Sequence, residues 1–228
     1  LHVHSEFSLL DGANRIKDLP VRAKELGMKA MAITDHGVMY GVIDFYKACK
    51  KEGIKPIIGC EVYVAPRSRF DKEGSLDKEY NHLILLAKDN IGYKNLSKLV
   101  SIGFTEGYYY KPRIDKELLR EHSEGLIALS ACLAGEVPRL LLNGEHEAAR
   151  AAAREHMEIF GSDNYFIELQ DHGLEEQKRI LPELIEIAKE LGLGLVATND
   201  IHYLTRRDAA YQDVLMCIQM KKTVDDED

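Results

Sequence analysis

Seven short apolar or β-branched runs recur along the 228 residues, and helical patterns separate them. The runs are the opening His2-Val3-His4, then 30–34 (Ala-Met-Ala-Ile-Thr), 56–64, 83–87 (Leu-Ile-Leu-Leu-Ala), 126–131, 165–169 and 194–198. Short apolar runs bounded by polar turns read as buried strands. The first helical pattern has Asp18 as its N-cap, Pro20 in its first turn and Gly27 at its C-terminus. Others cover 39–52, 91–103, 145–160, 175–191 and 206–221, and Pro182 is expected to kink or restart the helix it falls in. Repeated strand–helix units favour a parallel sheet, closed into a barrel or doubly wound. Neither GxGxxG nor GxxxxGK[ST] occurs, which weighs against a nucleotide-binding open sheet. The polar stretch 66–80 reads as an exposed loop, and nothing splits residues 1–228 into two domains.

A hydrophobic content of 45% with 30% charged residues is enough to bury a core. No stretch approaches eighteen apolar residues and no signal peptide is visible, so a cytoplasmic location is expected. Cys49, Cys60, Cys132 and Cys217 form no CxxC pair, which argues against a zinc ribbon or a thioredoxin-like couple. The net charge of −8 argues against a broad non-specific nucleic-acid surface. It leaves a phosphate substrate open, because divalent cations can supply the positive charge.

Chemistry concentrates in a few side chains. His2 and His4 near one end, and Asp200 and His202 near the other, are pairs of ligand types two residues apart. On a strand such a pair shares one face and can aim at one point. The pairs can form one site only if the fold brings the chain ends together. Most other ligand types also fall at expected strand ends. Asp11 follows the first strand, His36 closes the second in Thr34-Asp35-His36-Gly37, Glu61 lies in the third and Cys132 closes the fifth. His82 precedes its strand and needs an antiparallel strand or a bent loop to join them. Singly, each has an ordinary explanation: a strand-end histidine as a satisfied core residue, Cys132 as a small hydrophobe, Asp11-Gly12 as a turn. Their convergence is what points to a metal site. His122, His146, His156 and His172 stay outside it.

These motifs resemble the PHP (polymerase and histidinol phosphatase) superfamily: His2-Val3-His4 with Asp11, Thr34-Asp35-His36, the His82 region and Asn199-Asp200-Ile201-His202. Within it, the chain is similar to the PHP domains of bacterial DNA polymerase III alpha subunits. The segments that carry this likeness are His2–Gly12, Gly59-Cys60-Glu61-Val62-Tyr63, Tyr109–Asp115 and Thr198–Tyr203. The resemblance implies a distorted (β/α)7 barrel of TIM-like type, holding up to three divalent metal ions. It places one on His2, His4, Glu61 and Asp200, a second on Glu61, His82 and Cys132, and a third on Asp11, His36 and His202. Asp11, His36, Asp200 and His202 are expected to carry catalysis.

Clustered divalent cations suit phosphoester hydrolysis. A mixed imidazole, carboxylate and thiolate set favours zinc, with manganese or iron as alternatives. Tyr110, Lys111 and Arg113 are expected to contact substrate, as an aromatic face and two cations suited to a base and a backbone phosphate, with an aromatic loop packed against a neighbouring domain as the equal alternative. The leading expectation is a metal-dependent 3′–5′ exonuclease within DNA replication. Its partners would be a DNA 3′ end or primer-template, the rest of the polymerase chain, to which 206–228 would connect, and a proofreading exonuclease subunit. The alternatives are a metal-stabilised structural module and a histidinol-phosphate-type phosphatase.

Overall fold

The computed structural model describes residues 1–226, so the last two residues of the expected 206–228 connection lie outside it. Helix α1 (Leu19–Glu25) leads into strand β1 (Ala30–Ile33), followed by α2 (Val42–Glu52), β2 (Lys55–Val64) and β3 (Asn81–Ala87). Helix α3 (Asn90–Thr105) then precedes a small hairpin, β4 (Tyr108–Tyr109) and β5 (Lys111–Ile114), and helix α4 (Lys116–His122). The remainder runs β6 (Leu126–Leu129), α5 (Glu136–Leu142), α6 (His146–Phe160), β7 (Tyr165–Leu169), α7 (Glu175–Leu191), β8 (Gly194–Ala197) and α8 (Ala209–Met220). None of these helices is long and apolar enough to cross a membrane.

β1 pairs parallel with β2; β2 and β6 both pair antiparallel with β3; β6, β7 and β8 run parallel. Backbone bonds bring β8 back to β1 through the opening segment. Val3 bridges Ile201 in parallel, His4 N donates to Ile201 O at 2.8 Å, and Thr34 N donates to Val3 O at 2.9 Å. His2-Val3-His4 is therefore a stave held by a bridge, not the full strand expected from its pattern. With it, the curled sheet has the seven staves of the expected distorted (β/α)7 barrel.

The two-residue period of the strands sorts their side chains. Cys60, Val62, Leu83, Leu85, Leu126, Ala128 and Ile167 face outward into a core shared with the helices. Ala32, Ile84, Leu86 and Leu129 form a separate cluster with Phe166 and Val196 packed against it. The alternate positions on these strands include Glu61, His82 and Glu168, so one face carries apolar packing at one end and ligand types at the other.

Several elements differ from expectation. Asp18 stands at the N-cap of α1 but makes no side-chain capping bond there, whereas Asp89 caps α3 by accepting from Ile91 N and Gly92 N. Of the two effects expected of Pro182, a kink or a restart, the restart does not occur: helix α7 continues through it for 17 residues. The proline leaves one interior carbonyl without its usual donor, and Ile180, Leu184 and Ile187, all buried, hold the helix on both sides of it. The stretch 66–80 carries no helix or strand, yet it is pinned: Arg67 bonds Asp77, and Arg69 bonds Asp115.

Candidate metal centre

The nine ligand-type side chains singled out in the sequence gather at one end of the barrel. β3 runs antiparallel, so His82, at its start, lies level with Tyr63 at the far end of β2. His36 bridges Glu61 in parallel, and Gly135 bridges His82. The awkward position of His82 in the sequence is thus resolved by strand direction.

Glu61, with its side chain fully buried, is the hub. One of its oxygens lies 3.3 Å from His2 Nε2 and 2.9 Å from His82 Nδ1, and the other lies 3.8 Å from His4 Nε2 and in close contact with His36 Nδ1. Asp200 Oδ1 is 3.1 Å from His2 Nε2 and 3.2 Å from His4 Nε2. Those two nitrogens are 3.1 Å apart. Cys132 Sγ is 3.6 Å from His82 Nδ1 and 4.0 Å from Glu61. Asp11 Oδ2 is 2.6 Å from His36 Nε2 and 3.3 Å from His202 Nε2.

In three trios every ligand atom lies within 4.8 Å of the others: His2, His4, Asp200; His36, Glu61, His82; and His4, His36, His202. The first is part of one set implied by the resemblance. The other two cut across those sets, because the His36 ring touches Glu61 on one side and Asp11 on the other.

The donor set fits divalent cations. Glu61 Oε2, Asp200 Oδ1 and His36 Nδ1 are buried and make close ion-pair contacts with neighbouring ligand types, but none of these contacts has hydrogen-bond geometry. Buried unpaired polar atoms are costly, and carboxylate oxygens most of all. A cation at the junction is the ordinary compensation.

Without a cation, the charges distort one another's titration. Burial opposes a charge on His2, but Glu168, Glu61 and Asp200 outweigh it and raise its pKa. Burial together with His36 and His2 lowers His4 to about 3. His36 is pushed up to about 10, burial notwithstanding, by Glu61 and Asp11. Burial, Glu61 and Asp200 raise the Cys132 thiol. Metal ions reverse such preferences, since imidazole and thiol must shed protons to ligate.

Backbone strain marks the same loops. Among the described residues five non-glycine residues have positive φ; Asp200 is one (45°), and Leu10 (62°) and Ala131 (62°) immediately precede Asp11 and Cys132. Such conformations gather at functional sites and are held by their surroundings. Gly12 is obligatory in its own way: a Cβ there would stand 2.1 Å from Ser5 O.

Several supporting residues escaped the sequence reading. Glu168 on β7, buried, accepts from His2 Nδ1 at 2.8 Å. Asp35 accepts from Ser5 N, Ser5 Oγ and Ser8 Oγ, and Ser8 Oγ also meets His4 Nδ1 at 3.0 Å. The clue to Glu168 was a carboxylate inside an otherwise apolar strand, Tyr165-Phe166-Ile167-Glu168-Leu169. His202 Nδ1 lies 2.9 Å from Asp200 O, which leaves its Nε2 facing Asp11.

The expected substrate contacts fare unequally. Arg113 is fully buried, and its guanidinium donates to the carbonyls of Gly107, Asp77, Asp71 and Arg69. Those bonds occupy the donors expected to meet a phosphate, so Arg113 pins loops instead. Lys111 Nζ sits 5.4 Å from the centre of the Tyr63 ring, itself beside His36 and His82. Tyr110 is 60% exposed and packs edge-on against Tyr109. Of the histidines set aside, His156 pairs with Glu136 at 2.9 Å and His146 with Glu183, both away from the centre. His172 lies closer, in a surface groove shared with Asp11, Asp200 and His202.

Comparison with known proteins agrees with this geometry. The PHP domain model matches residues 1–172. DNA polymerase III subunit alpha of Treponema pallidum is 56% identical over 227 residues, covering 99% of this chain and 19% of that protein. The Thermus aquaticus subunit is 51% identical, again over 99% of this chain and 19% of its own length. The chain thus spans about a fifth of the curated relatives it matches. Among solved structures, a Bifidobacterium adolescentis protein proposed to be a metal-dependent phosphoesterase superposes with a TM-score of 0.57 at 16% identity, covering 89% of this chain and 86% of its own. A two-domain Bacteroides vulgatus protein proposed to contain a PHP-like metal-dependent phosphoesterase gives 0.52 at 18% identity, over 88% and 50%. The fold is shared with both, and the chain belongs to the PHP domain family.

Proposed function

We propose that this chain is the PHP domain of a DNA polymerase III alpha subunit and that it hydrolyses phosphodiesters at DNA 3′ ends with the help of bound divalent metal ions. The observation that carries the reading is the convergence of nine ligand-type side chains, with the buried carboxylate of Glu61 at their hub. His2, His4, Glu61 and Asp200 would hold one ion, Glu61, His82 and Cys132 a second, and Asp11, His36 and His202 a third. Zinc suits this set best, with manganese or iron as alternatives. Such ions supply a water that is acidic near neutral pH and offset phosphate charge.

The protein groups divide by depth. His2, His4 and Glu61 side chains are fully buried, whereas Asp11, His36, Asp200 and His202 are 17–21% exposed and face the substrate side. Those four are the candidate catalytic groups. The groove beside them also contains Tyr203 and Gln212, and offers a place for the nucleotide adjoining the scissile phosphate. Lys111, at the rim near Tyr63, would meet a backbone phosphate. The partners on this reading are DNA and the rest of the polymerase, in the cytoplasm.

The test compares wild type with Asp200→Asn on 3′-mismatched DNA in zinc or manganese. Asparagine tolerates the positive φ at this position, so the fold should persist while degradation drops at least 100-fold. Equal rates, or no degradation by wild type, refute it. One observation favours a second reading, a metal-stabilised support for the polymerase and its proofreading subunit. The ligands tie residues 2–4 to 200–202, the seam of the barrel, so bound metal would strengthen closure even without turnover. In that case chelation lowers stability and Asp200→Asn leaves nuclease rates unchanged.

A further inference from the structure

We infer that Glu168 is a positioning residue for the metal centre: it holds His2 in the tautomer whose Nε2 lone pair faces the junction with His4, Glu61 and Asp200. The inference rests on the metal reading above and extends it to a residue outside the ligand set.

Glu168 Oε1 and the junction lie on opposite sides of the same ring. His2 Nδ1 is 2.8 Å from Glu168 Oε1, while His2 Nε2 is 3.3 Å from Glu61, 3.1 Å from Asp200 and 3.1 Å from His4. A carboxylate only accepts, so the 2.8 Å contact places the proton on Nδ1, the longer 3.3 Å approach of Gln170 Nε2 being secondary, and Nε2 is left as the ligand atom. Glu168 is itself fixed from three staves. Its amide N donates to Ser130 Oγ at 2.8 Å, just past β6. Thr198 Oγ1, just past β8, donates to Oε1, and Gln170 Nε2 donates to Oε1 at 3.2 Å and to Thr198 Oγ1 at 3.2 Å. The carboxylate therefore has little freedom to leave the imidazole.

His4 has a weaker version of the same support. Its Nδ1 meets Ser8 Oγ at 3.0 Å, and that hydroxyl donates to Asp35 Oδ1 at 2.8 Å. The neutral hydroxyl interposed at His4 transmits less charge to the ring than the direct carboxylate at His2. Partners of this kind make imidazole a stronger, better aimed ligand, and their loss typically weakens metal binding about 10–100-fold.

Glu168→Gln preserves volume but removes the charge, and its amide can turn an N–H toward Nδ1. The ring then prefers the tautomer with its proton on Nε2, pointing into the junction. The experiment measures zinc and manganese affinity by competition with a chromophoric chelator, in the full natural chain. Wild type is compared with Glu168→Gln, Thr198→Val, Ser8→Ala and Glu136→Gln. Glu136 makes the same carboxylate–histidine contact with His156 away from the centre, so it controls for the chemistry alone.

The expected result is a 10–100-fold loss of affinity for one ion in Glu168→Gln, a severalfold loss in Thr198→Val and Ser8→Ala, and none in Glu136→Gln. Excess metal should restore occupancy. If Glu168→Gln does not fold, Thr198→Val decides: weakened binding supports the inference and unchanged binding overturns it. Glu168→Gln binding like wild type overturns it while leaving the metal reading intact. A wild type that binds no metal overturns both.

Discussion

Single residues separate what metal chemistry requires from what the scaffold requires. Histidine, aspartate and glutamate at two-residue spacing and at strand ends were legible as candidate ligands because pattern and chemistry agree. Arg113 was not. In Tyr110-Lys111-Pro112-Arg113 it reads as a surface cation, and nothing local reveals that four carbonyls from loops 69–77 and 107 converge on it. Removing a buried charged donor strands its acceptors. Arg113→Ala is expected to destabilise the fold by about 3 kcal/mol, measured by urea denaturation. Lys111→Ala should instead leave stability within about 0.5 kcal/mol and weaken DNA binding. Equal loss of stability in both would contradict this assignment.

At the scale of elements, the barrel strands, the long helices and the short α1, marked by Pro20 and Gly27, were visible, and the other short pieces were not. The seven-residue helices α4 and α5 are too short to show a period, and the β4–β5 hairpin turns on Tyr110 at a φ of 61°. These pieces are joined by charge as much as by apolar contact. Lys116 of α4 reaches Glu136 of α5 and Glu155 of α6, and Glu136 also pairs with His156 of α6. Burial disfavours the Glu136 carboxylate, yet His156 and Lys116 hold it down to about 2, against an ordinary 4.5. A lowered pKa means stability that is fully present above pH 4.5 and lost as the pH falls toward 2. The difference corresponds to about 3 kcal/mol. Glu136→Gln is expected to flatten that part of the stability–pH curve; a curve parallel to wild type would refute the assignment.

For the whole molecule, alternating strands and helices left a barrel and a doubly wound sheet both open, the resemblance chose the barrel, and neither showed how it closes. The sequence shows His2-Val3-His4 as a strand; the structure shows a stave held mainly by backbone bonds to Ile201 and Thr34. That seam carries His2, His4, Asp200 and His202, so on the proposed function metal binding would be coupled to barrel closure. A ligand that binds only the folded state stabilises it by mass action. Chelation is therefore expected to lower the melting temperature by several degrees, and the Asp200→Asn variant should respond less. The size of the effect is not legible in sequence, because it depends on how closely the two ends meet.

The most direct test of the central claim is metal stoichiometry by elemental analysis of the purified natural chain, with Glu61→Gln alongside. Glu61 contacts His2, His4, His36 and His82 at once, so neutralising it should remove charge from every part of the centre. The account predicts up to three ions per chain at this centre in wild type and a loss of at least one in Glu61→Gln. Identical metal content in the two proteins would contradict it.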